Sequence, residues 1–299
     1  IEQLAVERPE ALAKIAVERA RDLGCTLIVH TSNRSQNSLR RFNGAFRELG
    51  FQGEYGSPFA SSYVSREEKR TALSRLGVSM YAHRVVSTDT NAWGREFEGS
   101  VLDDPEIVVV PSELYRWTCG PAESGAAERM TLRFSRGLPT HMNDSAMTGA
   151  PLLRAMNELV GQHGIGRYVG LEETQCGAKV QEVREMPAAT LLLDAFRRLE
   201  SASVPYECIR EKMTIEQLWT REAVEGRWYG ELRLACQAFI ENVANRVSGE
   251  ITYELGRGCF EMTGMRAENP LYVRDRQVLE GLTCPPNSAL VPDPVSRSG

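Results

Sequence analysis

The run Cys25-Thr-Leu-Ile-Val29 constrains this chain more than any other segment. A helical pattern precedes it: Pro9 stands where a helix can begin, Leu12, Ile15, Ala16 and Leu23 recur at helical spacing, and Gly24 closes the turn. A short, nearly continuous apolar run after such a helix predicts a strand covered on both faces, as in a parallel sheet. Polar residues from His30 to Ser38 follow, and a second helix then carries Leu39, Phe42, Phe46 and Leu49 on one face before stopping at Gly50. Ser65-Arg-Glu-Glu68 has the form of a capping box and opens a helix through Leu73 and Leu76 to Gly77. Helix, buried strand, polar loop and helix make half of a doubly wound α/β domain, too short to be a whole one.

Beyond about residue 85 the pattern changes. Met130, Leu132 and Phe134 alternate, Arg136-Gly137 turns the chain and Leu138 resumes, which predicts a hairpin. Leu152, Leu153, Met156, Leu159 and Val160 make an amphipathic helix, 166–171 a strand, and Pro187 begins a helix with Leu191, Leu192, Ala195, Phe196 and Leu199. Residues 231–247 are helical in pattern, and Gly256-Arg-Gly258 turns a last hairpin. The expected fold class is therefore α/β: a partial doubly wound nucleotide-binding domain over 1–84, then an α+β domain with a mostly antiparallel sheet over 85–277. Residues 278–299, with four prolines after Cys284, are expected to form a disordered tail.

Charge narrows the partners. Forty acidic against 35 basic side chains give a net charge of −5, and no basic block interrupts that balance. Nucleic acid and anionic membrane are therefore not expected as partners. No apolar stretch approaches the ~18 residues of a membrane span. The seven cysteines form no CxxC and the four histidines no metal-ligand spacing, so reduced thiols, a cytoplasmic setting and no protein-bound metal are expected.

The candidate chemistry sits in three places. The loop His30-Thr31-Ser32-Asn33 through Asn37 and Ser38 lies between a strand and a helix, where open α/β sheets bind ligands. Asn37 or Ser38 can cap that helix, and Arg41 lies one turn inside it. The loop holds no glycine, so it does not suit a phosphate cradle of the P-loop kind, and from the residues alone an ordinary strand-to-helix turn with a good N-cap is the better reading. Ser87-Thr-Asp-Thr-Asn91 reads as a polar turn between the domains, followed by Glu96 and Glu98. Glu172 and Glu173 stand at a strand end, where paired carboxylates could receive an ammonium or simply face water. Cys176, Cys208 and Cys236 lack a flanking base, and no catalytic residue can be assigned.

Several spaced motifs resemble the argininosuccinate synthase family. His30, Asn37, Arg41 and Phe42 match positions of its HGxTGKGNDQxRFE loop and helix; Ser87, Asp89, Asn91, Trp93-Gly-Arg95 and Glu98-Gly99 resemble its SxDxNLWGRSxEGG run. His163-Gly-Ile-Gly-Arg167 with Glu172, Gly177, Lys179, Glu185 and Pro187-Ala-Ala-Thr190 resembles its HGxGRxDxVENRxxGxKSRxxYExPAGT, and Asn269-Pro-Leu-Tyr272 its SPxSLY. The order and spacing of these matches run from Arg8 to about Tyr272.

The resemblance implies an ATP-dependent carbon–nitrogen ligase of arginine biosynthesis. Such an enzyme activates the ureido oxygen of citrulline as an adenylate, which the aspartate amine then opens. It implies citrulline contacts at Asn37, Arg41, Ser87 and Glu172, aspartate or amine contacts at Asn33, Asn37 and Ser38, and a nucleotide loop at His30, Thr31, Ser32 and Asn33. ATP with its Mg2+ is the implied cofactor, and small amino acids, a homo-oligomer or a chain supplying the nucleotide loop are the implied partners. There are departures. The family's SGGLDTS pyrophosphate loop has no equivalent in residues 1–299; Thr31, Arg34 and Gln36 replace glycines; Ser38 replaces an aspartate; Glu96 and Arg184 replace a serine and a tyrosine; and the long C-terminal helix of the family's tetramer exchange is replaced by the proline-rich tail. A non-catalytic descendant that binds an amino acid or a protein partner is the alternative expectation.

Overall fold

The computed structural model describes residues 9–32, 37–62, 64–78, 86–119, 127–173 and 177–283. Near the N-terminus, α1 (Pro9–Asp22) leads through Gly24, at φ +65°, into β1 (Leu27–Val29), and α2 (Asn37–Glu48) into β2 (Glu54–Gly56). The two strands pair in parallel, Leu27 opposite Glu54 and Val29 opposite Gly56. Ala13, Val17 and Ala20 of α1 meet Ala45 and Phe46 of α2, and Ile28 packs on that cluster.

β1 is not covered on both faces as its apolar run suggested: Leu27 is 55% and Val29 57% exposed. Among the described residues this sheet has two strands. Alternation therefore sends Ile28 into the α1–α2 cluster and leaves its neighbours on the open face. The capping box is present as expected: Ser65 Oγ accepts from Glu68 N and Glu68 returns a bond to Ser65 N ahead of α3 (Arg66–Arg75). Asn37 and Ser38 lie inside the first turn of α2 rather than ahead of it.

The larger part is a mixed α/β arrangement built on two antiparallel sheets. One has the order β11-β10-β5-β6-β7, from β5 (Glu128–Ser135), β6 (Leu138–Met142), β7 (Ser145–Ala146), β10 (Gly249–Gly256) and β11 (Cys259–Ala267). Its inner face, Met130, Leu132, Phe134, Ile251, Tyr253 and Leu255, packs on α4 (Gly149–Gln162) and α5 (Pro187–Ser203) to make the main core. The hairpin at Arg136-Gly137 turns through two left-handed residues, φ 50° and 80°.

The other sheet has the order β3-β4-β9-β8, from β3 (Ser87–Thr90), β4 (Arg95–Glu98), β8 (Arg167–Glu173) and β9 (Lys179–Glu185). Residues 87–91, expected as a turn, are mostly strand. The turn comes after them, where Asn91 Oδ1 accepts from Trp93 N (2.8 Å) and Gly94 N (3.2 Å). After α5 the chain forms a helical pair, α6 (Tyr206–Val224) and α7 (Glu231–Ala244). Gly226, at φ +82°, ends α6 against the backbone of α2, where an added Cβ would come within 2.8 Å of the Arg40 carbonyl carbon. A last helix, α8 (Arg276–Thr283), occupies the first part of what was expected as tail; eight residues without proline close a helix there, and 284–299 lie outside the described residues. No helix among the described residues is long and apolar enough to cross a membrane.

Candidate functional site on the four-stranded sheet

Directly paired residues share a face, as do residues two apart in one strand. Register places Glu96 opposite Arg184, Asp89 opposite Glu96, and Ser87 opposite Glu98. Across β9 and β8, Glu182 faces Gly170 and Glu172 faces Val180. One face of the sheet therefore carries Ser87, Asp89, Glu96, Glu98, Glu172, Glu182 and Arg184. The reverse face carries Phe97, Val183 and Val169, which pack with Val86, Leu102 and Tyr115.

A hydrogen-bond anchor behind the sheet holds this face in place. Glu185, fully buried, accepts from Arg95 Nη1 (2.8 Å), Thr118 Oγ1 (2.8 Å), and the backbone N–H groups of Trp117 (2.8 Å) and Thr118 (2.9 Å). Burial pushes its carboxyl up, but these donors outweigh burial and hold it below the usual range. Glu185, one of the residues carrying the resemblance, is thus a structural tie between β9, β4 and the segment 116–118.

On the open face, the carboxylates of Glu96, Glu172 and Glu182 lie within 4.8 Å of one another. Arg184 binds two of them, Nε to Glu96 at 3.0 Å and Nη2 to Glu182 at 2.6 Å. Burial raises the Glu182 carboxyl; Arg184 opposes that rise, and Glu96 and Glu172 add to it. Arg184 is held above its ordinary value by Glu182 and Glu96 in spite of burial. The guanidinium is the cation these carboxylates hold.

The expected site residues fall into two groups. Ser87, half-buried on β3, and Glu172, exposed on β8, share the polar face at opposite edges of the sheet, three strand spacings (about 14 Å) across it and two residues offset along it. Glu96 and Arg184 stand on the strands between them. The second group lies on and before α2. His30 is turned inward, Nε2 to Asn43 Oδ1 (3.1 Å), with its ring 5.3 Å from Phe42. Thr31 is exposed, Ser32 is buried, and Asn33 lies outside the described residues. Asn37 and Ser38 occupy the first turn of α2, and Arg41 Nε donates to the Val224 carbonyl (3.4 Å) at the end of α6. Glu182 was not singled out by sequence. The period-two pattern of β9 carried the signal, since Glu182 and Arg184 alternate with the core residue Val183.

Residues 86–283 match the arginosuccinate synthase C-terminal domain. The chain is 32% identical to the argininosuccinate synthase of Pyrococcus furiosus over 269 residues, covering 90% of this chain and 65% of that protein. It is 31% identical to that of Rubrobacter xylanophilus, over 91% of this chain and 66% of that protein. Against the Oceanobacillus iheyensis enzyme it is 31% identical over 90% of this chain and 64% of the relative. The chain thus spans slightly less than two thirds of the length of these curated relatives. With ordered motifs, a matched C-terminal domain and similarity over about 90% of its own length, this chain belongs to the argininosuccinate synthase family.

Proposed function

We propose that the polar face of the four-stranded sheet is the amino-acid site of an ATP-dependent carbon–nitrogen ligase, with 1–84 as its partial nucleotide-binding domain and 85–277 as its synthetase domain. One observation supports this above the rest: Ser87 and Glu172, far apart in sequence, lie on one face of one sheet. An extended amino acid laid across the strands meets Glu172 with its ammonium and Ser87 with its polar end. The resemblance gives the carboxylate to Arg41, whose guanidinium bonds the Val224 carbonyl at the end of α6 in this structure. ATP, with Mg2+, supplies activation of a ureido-type oxygen as an adenylate, which the incoming amine opens with loss of AMP. The loop His30–Asn33, with Asn37 and Ser38 beyond it, begins at the carboxyl end of β1, the usual side for a nucleotide in such sheets. It holds no glycine, and we assign pyrophosphate binding to residues outside 1–299, on the same polypeptide or on a partner chain. The substrates are small amino acids, and the setting is cytoplasmic.

The Glu96–Arg184 pair stands on the floor between Ser87 and Glu172, where the family's serine and tyrosine are neutral. A floor with a fixed cation and three carboxylates favours a substrate pair other than citrulline and aspartate, since each charge needs its own complement. The test is pyrophosphate release by the chain supplied with a nucleotide-binding front, with amino-acid analogues in competition. The proposal expects turnover only with the front present and a preferred pair other than citrulline and aspartate. Preference for the standard pair would overturn the altered specificity, and no turnover with any pair would favour the second reading. That second reading is a non-catalytic amino-acid or protein-partner binder, favoured by the loop without glycine.

A further inference from the structure

The residue level with Ser87 at the far edge of the sheet is Gly170, not Glu172. Ser87 pairs with Glu98 on β4, and one step along from the Phe97–Val183 pair Glu98 comes level with Glu182 on β9. Glu182 pairs in turn with Gly170 on β8. The row that begins at Ser87 therefore ends on a glycine, which offers a ligand no side chain of its own.

Tyr168 fills that place. A Cβ at position 170 would overlap the phenol oxygen and Cζ of Tyr168 and come within 2.6 Å of its Cε1. The ring is thus folded along β8, with its hydroxyl where a side chain at 170 would begin. Tyr168 pairs with Arg184, so it belongs to the polar face, and it is 44% exposed there. Among the described residues its hydroxyl has no hydrogen-bond partner.

Glu172 leans toward the same spot. Its cross-strand partner is Val180, yet its carboxylate lies within 4.8 Å of those of Glu96 and Glu182. Arg184 bonds Glu96 and Glu182 but not Glu172. A carboxylate left outside the Arg184 pairs and an unspent phenol hydroxyl therefore meet at the β8 end of the row.

That corner has the chemistry for an ammonium. An ammonium carries three donors; the carboxylate takes part of that capacity, and the phenol oxygen, which can accept, takes more. A ligand carboxylate in the same corner would face three carboxylates, which fixes which end of an amino acid enters here. We propose that Tyr168 is a substrate-contacting, specificity-determining residue, whose hydroxyl accepts a hydrogen bond from the ligand ammonium that Glu172 pairs with. This rests on the polar face being the amino-acid site.

The probes are citrulline, homocitrulline and glutamine, titrated into the full chain by calorimetry, and the tightest is carried through the variants. Tyr168→Phe removes only the hydroxyl and should weaken binding about three- to tenfold. Gly170→Ala puts a methyl where the hydroxyl sits. The displaced atoms are the far end of a flexible side chain, so the ring swings aside and the strand stays. Its loss should equal that of Tyr168→Phe, and the double variant should lose no more, since both remove one contact. Binding that falls in Glu172→Ala but is unchanged in Tyr168→Phe or Gly170→Ala overturns the role of Tyr168 alone, as do losses that add in the double variant. No binding of any probe, or binding indifferent to Glu172→Ala, overturns the site and this assignment together.

Discussion

At the scale of single residues, two carboxylates three positions apart on β9, one on each face of the sheet, have opposite pH behaviour. The Glu182 carboxyl is raised by burial, so its folded-state value lies above the ordinary 4.5. A raised carboxyl favours the folded state at low pH, and this contribution is lost as pH rises from about 4.5 through the folded value. Arg184→Met removes the opposing cation. We expect it to cost about 1–3 kcal/mol near neutral pH, after allowance for the half-exposed guanidinium, and less at pH 4. Denaturant titration across pH checks this; a loss independent of pH contradicts the reading. Glu185 behaves in the other sense: its carboxyl is lowered, so its contribution is present above 4.5 and is lost as pH falls through the folded value. Glu185→Gln sets an amide NH2 against the donors at 116–118, and we expect a loss of about 3 kcal/mol at pH 7 that shrinks in acid. Denaturant midpoints at pH 7 and pH 4 measure it.

At the scale of elements, what could be read in sequence was what hydropathy writes plainly. Met130, Leu132 and Phe134 alternate because one face of β5 is core, and all three are buried. α6 and β9 were hard to read from hydropathy, because all of their buried positions except Val183 are charged or polar. In α6 the buried residues are Lys212 and Glu222, while Tyr206 and Met213 are exposed. In β9, Gln181, Glu182 and Glu185 are buried through hydrogen bonds that no apolar pattern reveals. The run in β1 lies in a sheet of two strands among the described residues, where Leu27 and Val29 are exposed. The candidate site was legible only in parts: local pattern singled out Ser87 and Glu172 and the resemblance gave them roles, but sharing a face depends on the order β3-β4-β9-β8, which no local pattern encodes. The junction of α2 with the α6–α7 turn gives a prediction at this scale. Gly226→Ala strains a φ of +82° and forces Cβ onto Arg40 and Arg41 backbone. A cost of about 1–3 kcal/mol is expected, with proteolysis in α2 as the sensitive readout. Unchanged protease resistance contradicts the close packing.

At the scale of the whole molecule, a two-stranded parallel unit, which offers a loop at the end of β1, is followed by a sheet whose polar face offers charges of both signs. The central claim is that this face holds an α-amino acid. Calorimetry with citrulline and its polar-ended analogues, on the native chain and on Glu172→Ala, tests that claim most directly. The account predicts saturable binding of at least one such ligand. It also predicts a loss of roughly tenfold or more in Glu172→Ala, since a charge-assisted bond contributes roughly 1.5–3 kcal/mol. No binding of any of these ligands, or an affinity unchanged in Glu172→Ala, would contradict it.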